Sequence, residues 1–153
     1  MKRIAIGAST ALALIVTVTV GVAQSPQSPT TIEILRNPGC GCCLKWVSLL
    51  EKAGFKATVK ESPEIQGFKD RKGVPKAVRS CHTGVVNGYV IEGHVPVADV
   101  KRLLKTRPAV VGIAVPGMPA GSPGMEAPDG TTEPFDVVAF DKTGTTTVFA
   151  SHR

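Results

Sequence analysis

Three of the four cysteines in this chain lie within four residues, Cys40-Gly41-Cys42-Cys43, and the fourth, Cys81, precedes His82. In an exported chain, four cysteines first suggest two disulfides. The spacing resists that reading. A Cys42–Cys43 bond would close a strained eight-membered ring, and Cys40 and Cys42 flank a single glycine, an awkward closure. One comfortable structural bridge remains, from the cluster to Cys81. Cys40 and Cys43 do hold the Cys-x-x-Cys spacing of a redox-active dithiol. A helix N-terminus beneath them would lower a thiol pKa and make a nucleophile. The third thiol between them invites misbridging in such an enzyme.

A metal site uses all four sulfurs. Thiolates are soft ligands that select Cu(I), zinc and iron–sulfur centres. One tetrahedral zinc ion collects sulfurs poorly from so cramped a segment. Several Cu(I) ions do not have that difficulty, because each takes two or three ligands and each sulfur can bridge two metals. Gly41 frees the backbone to turn the thiolates inward. Further candidate ligands are His82, His94, Met118 and Met125. The plainer reading of a lone histidine is a surface or capping residue, and of a methionine, packing. The segment from Met118 to Met125 is poor core material, however. His152, near the chain end, reads as solvated. An iron–sulfur carrier is a third reading, but the cysteine spacing departs from common ferredoxin patterns.

The elements that must position these residues follow from periodicity. Ile32 to Leu35 is a short strand ending at the turn Asn37-Pro38-Gly39. Cys43, Trp46, Val47, Leu50 and Ala53 form a helical stripe, with Gly54 at the C-terminal cap. Phe55, Ala57 and Val59 alternate with polar residues as a half-buried strand. Ser62-Pro63-Glu64 opens a short helix that runs to about Arg71. Thr83–Val86 and Tyr89–Glu92 flank Asn87-Gly88, the signature of a type I′ hairpin. Val97, Val100, Leu103 and Leu104 make a third helix, which Pro108 stops. The order β-α-β-α-β-β-α, with cysteines between the first strand and first helix, predicts an α/β, thioredoxin-like domain. In that layout the loop carrying Cys81 faces the first helix. A Gly/Pro/Met loop (116–130) and two strands, Phe135–Phe140 and Thr145–Ala150, should pack on it as a C-terminal extension too short to hold its own core.

The chain has 153 residues, one domain's worth, with 42% hydrophobic and 20% charged residues. That composition excludes a disordered tail. At 5% aromatics it also lacks the platforms of a base-stacking nucleic-acid module. Residues 1–23 read as a secretory signal: Lys2 and Arg3, an uncharged run from Ile4 to Val22, then Gly21-Val22-Ala23 as a cleavage site. The rival is an uncleaved anchor, since a span takes about 20 residues. Residues 24–31 read as a Pro/Ser linker, leaving 32–150 as the folded domain. The formal net charge of +6 loses two with the signal, and the basic residues form no dense tract.

The runs Asn37-Pro38-Gly39-Cys40-Gly41-Cys42-Cys43, Ser80-Cys81-His82-Thr83, Tyr89 to Pro96 and Val115 to Glu126 resemble the CopG-like copper-resistance family. The resemblance spans about Thr31 to Phe149. It implies a thioredoxin-like fold in the periplasm and copper held in a cysteine-bridged cluster by Cys40, Cys42, Cys43 and Cys81. It also implies a role in handling excess copper, by cycling it between Cu(I) and Cu(II). The expected cofactor is therefore Cu(I), polynuclear. The expected partners are copper ions and other periplasmic copper-handling proteins, with no nucleic acid and no membrane beyond the signal segment. Whether the chain is a copper oxidoreductase or only binds the metal stays open at this stage.

Overall fold

The computed structural model describes residues 29–153; the signal reading of 1–23 and linker residues 24–28 lie outside that range. The described chain is a mixed α/β fold with three helices and one seven-stranded sheet. Strand β1 (Thr31–Arg36) alternates so that Ile32, Ile34 and Arg36 are buried. Helix α1 (Gly41–Lys52) follows, and β2 (Lys56–Glu61) returns parallel to β1. A parallel return needs a crossover of this length, and α1 supplies it. Helix α2 (Ile65–Arg71) leads to β3 (His82–Val86), which pairs antiparallel with β1 and with β4 (Tyr89–Glu92). The β3–β4 turn is the expected one, with φ of 48° at Asn87 and 86° at Gly88. Helix α3 (Val97–Thr106) ends at Arg107 in a left-handed conformation just before Pro108, and crosses to β5 (Gly112–Ala114), parallel to β4. Strands β6 (Phe135–Phe140) and β7 (Thr146–His152) complete the sheet in the order β2-β1-β3-β4-β5-β6-β7.

The α1 stripe is buried as expected at Cys43, Trp46, Val47 and Leu50. It packs with Ile32, Ile34, Ile91, Val95, Val100, Leu103 and Ile113 into the main core. Several details differ from the sequence reading. Helix α2 starts at Ile65 rather than Pro63, and the Ser62 hydroxyl instead accepts the Glu64 N–H at 3.1 Å. Val59 is 36% exposed because β2 is an edge strand with little packed on it. The apolar run after Pro108 contains a strand, β5, which joins the C-terminal hairpin to the rest of the sheet. His152 is only partly solvated: its Nε2 lies 2.7 Å from the Asp99 carboxylate and its ring stacks on Phe135 with centroids 4.8 Å apart. No helix among the described residues is long and apolar enough to cross a membrane.

Candidate metal centre

The cysteine segment caps a helix without a side-chain cap. Cys40 occupies the N-cap position of α1 in an extended conformation, with no side-chain capping bond and no acidic residue in the first turn. The free N–H groups and the helix dipole therefore face the sulfurs rather than a carboxylate. Arg36, at the buried end of β1, donates from Nη1 to the Cys40 carbonyl at 2.9 Å and pairs with Glu61. Asn37 N–H donates to the Cys81 carbonyl at 3.1 Å. The two cysteine segments are thus tied by backbone before any sulfur is considered.

All four sulfurs converge within 4.8 Å of one another. Cys40 and Cys43 are joined in a disulfide, their Cα atoms 5.6 Å apart, and Cys42 and Cys81 are free. The expectation that the three clustered cysteines cannot bridge one another comfortably fails for this pair. Three positions of helical rise bring the two side chains onto the same side of the first turn. The bridge from the cluster to Cys81 does not form. Instead Cys81 Sγ stands 3.1 Å from Cys43 Sγ, and Cys42 Sγ stands 3.3 Å from Cys40 Sγ. Burial and the neighbouring Cys42 thiol push the Cys81 thiol up to about 11.

Both histidines of the sequence reading reach this cluster. His94 is fully buried; its Nδ1 sits 2.8 Å from the Pro123 carbonyl and its Nε2 3.7 Å from Cys81 Sγ. A carbonyl only accepts, so Nδ1 carries the proton and Nε2 presents its lone pair to the sulfur. A second hydrogen bond of this kind is how ligating histidines are usually oriented. His82 is fully buried between Trp46 and His94, with ring centroids at 4.5 and 4.9 Å. Its Nδ1 lies 3.6 Å from Cys81 Sγ and its Nε2 has no partner. Burial holds both rings below the ordinary histidine range, His82 down to about 3, so both are neutral at pH 7, the form that binds metal.

The methionines are placed differently. Met118 is 38% exposed at a left-handed turn, and Met125 is half-buried. What packs on the helix end is loop backbone. Gly124 (φ +87°) approaches so closely that a Cβ there would meet the Cys42 carbonyl and the Trp46 nitrogen at 3.0 Å. Only glycine allows both that approach and that φ.

Sequence reasoning missed a buried ion pair beneath Cys81. Lys69 and Glu92 have fully buried side chains and contact each other directly. Glu92 also accepts from the Ser80 N–H and the Thr83 hydroxyl, each at 2.6 Å, and Lys69 donates to the Thr83 hydroxyl at 2.8 Å. The carboxylate therefore holds the residues on both sides of Cys81-His82. Burial pushes the Lys69 ammonium down and the Glu92 carboxyl up, while their contact favours the charged forms. The one sequence signal was Lys69 lying one helical turn after Ile65, on the buried face of α2.

A small α/β protein that gathers four cysteines and two histidines at one helix end has a site competent to hold a soft metal ion. The chain belongs to the CopG family of copper resistance proteins. It is 44% identical to a solved structure of copper resistance protein CopG (form 2), with a TM-score of 0.77, covering 82% of this chain and 99% of that one. A second structure of that protein (form 1) has 44% identity and a TM-score of 0.76, covering 81% of this chain and 98% of that one. Residues 78–125 match the family described as a protein of unknown function, DUF411. No curated protein matches the chain.

Proposed function

We propose that this protein binds Cu(I) outside the cytoplasm as part of copper resistance, holding several ions in a cluster of the Cys40, Cys42, Cys43 and Cys81 thiolates. The observation that carries this reading is the convergence of all four sulfurs within 4.8 Å. Soft, bridging thiolates suit Cu(I), and the free N–H groups of α1 offset the charge of the reduced cluster. His94 and His82 supply nitrogen ligands at its inner side, and Met118 and Met125 thioethers from the covering loop. The reading includes a cleaved signal over 1–23, a linker over 24–31 and a thioredoxin-like domain over 32–150. Support for that domain is the sheet portion β2-β1-β3-β4, with β1 and β2 parallel and β3 and β4 antiparallel. Other periplasmic copper-handling proteins would deliver or remove the metal. The reducing half of such a cycle balances: two Cu(II) ions accept one electron each from the Cys40 and Cys43 thiolates, leaving two Cu(I) and the disulfide.

The disulfide favours a second reading, a thiol–disulfide oxidoreductase using Cys40 and Cys43. Anaerobic Cu(I) titration of the reduced protein separates the two. The cluster binds more than one copper per chain and loses capacity in each Cys→Ser variant. A stoichiometry of one, or preferential retention of zinc, overturns it. The oxidoreductase instead turns over a disulfide substrate without metal, fails in Cys40→Ser and tolerates Cys81→Ser.

A further inference from the structure

Closing the Cys40–Cys43 disulfide removes two sulfurs from the centre but leaves Cys42 and Cys81 as thiols. A second ligand group then remains intact around Cys81, made with His82 and His94. In a tetrahedral site with metal–sulfur bonds of about 2.3 Å and metal–nitrogen bonds of about 2.0–2.1 Å, a sulfur and a nitrogen ligand stand about 3.6 Å apart. Cys81 Sγ lies 3.6 Å from His82 Nδ1 and 3.7 Å from His94 Nε2. The sulfur–nitrogen spacing of a mononuclear site is therefore present between Cys81 and the two histidines. The orientation is also set, because the Pro123 carbonyl takes the His94 Nδ1 proton and leaves Nε2 free. Cys42 Sγ lies within 4.8 Å of Cys81 Sγ but does not group with the two histidine nitrogens, so it becomes the fourth donor by turning towards them.

We propose that Cys81, His82 and His94, with Cys42, also hold a single divalent cation of the zinc class, which binds when Cys40 and Cys43 are joined. The inference rests on reading this pocket as a metal centre, but not on the Cu(I) cluster. Two thiolates and two nitrogens make a borderline donor set, suited to a divalent ion, whereas four thiolates favour Cu(I). The same pocket thus changes its preferred cargo with its oxidation state. The disulfide forms as the two thiols pass two electrons and two protons to a disulfide of the glutathione class, which leaves as two thiols.

The test uses the full chain oxidised with glutathione disulfide, checked for two free thiols, and titrated with Co(II) as a spectroscopic substitute for zinc. One cobalt per chain is expected, with tetrahedral visible bands and thiolate-to-cobalt charge transfer. Cys81→Ser and His94→Ala should abolish the bands. The double variant Cys40→Ala/Cys43→Ala should keep them at one per chain even under reductant. Absence of the bands in the oxidised protein, their persistence in the folded His94→Ala variant, or their loss in the folded double variant would each overturn the site. If His94→Ala fails to fold, the near-isosteric Cys81→Ser decides. Reduced protein that binds a single Cu(I) would sink the cluster reading and leave the cobalt result standing.

Discussion

Two adjacent-looking histidines are set up for different work by single contacts. His94 has its proton placed by one carbonyl and offers a lone pair to Cys81. His82 Nε2 has no hydrogen-bond partner among the described residues, and burial, with smaller contributions from His94 and Lys69, holds the ring at about 3 against an ordinary value of 6.5. The sign for stability follows. Between those values the unfolded chain takes up a proton at His82 and the folded chain does not. The stabilisation is complete above pH 6.5 and is lost progressively as pH falls towards 3. Urea unfolding of the metal-free protein across that window should show declining stability, and His82→Asn should flatten the slope whatever it does to absolute stability. An unchanged slope would assign the acid sensitivity to other groups.

At the scale of elements, the Cys81 segment is held by α2 and β4 rather than by its own strand. Lys69 comes from α2, Glu92 from β4, and both grip residues beside Cys81. Removing one member of a buried pair leaves a charge without a partner, at a cost of about 3–5 kcal/mol. Lys69→Met should show that loss in chemical denaturation. Lys69→Met/Glu92→Gln should recover much of it, because a neutral amide can still accept the Ser80 N–H through its oxygen and donate to the Thr83 hydroxyl through its NH2. Equal losses in the single and double variants would mean the charge pairing contributes nothing. The covering loop works by a different principle. It approaches α1 through Gly124, where any side chain would strike helix backbone.

At the scale of the molecule, the C-terminal extension is a continuation of the sheet. Strand β5 has three residues and is paired on both sides, with β4 and β6. Ile113 on β5 and Val137 and Ala139 on β6 share the core that also holds Trp46 and Val95. Arg102 of α3 donates to the Phe149 carbonyl at 2.6 Å and its guanidinium lies 3.9 Å from the Phe149 ring centroid. A chain ending at residue 134 would leave β5 as a bare edge and open this core to water. Such a truncation should lose its cooperative thermal transition, measured by circular dichroism. A sharp transition near that of the full chain would show that the first five strands are self-sufficient.

The elements and the candidate ligands were legible in the sequence because they depend on local spacing and residue type. The α1 stripe from Cys43 to Leu50, the Asn87-Gly88 turn and the stop at Pro108 each express a rule acting over a few residues. So did the cysteine motif, and with it the soft-ligand chemistry. What the sequence could not determine was anything requiring two distant segments to meet at a defined separation. The choice of Cys43 as the partner of Cys40, the 3.7 Å approach of His94 to Cys81, and the Lys69–Glu92 pair below them all arise where helix ends and strands from different parts of the chain converge. Burial decides those contacts. Only the packed sheet excludes the water that would otherwise let a lysine, a glutamate and two histidines stay apart and charged according to their own chemistry.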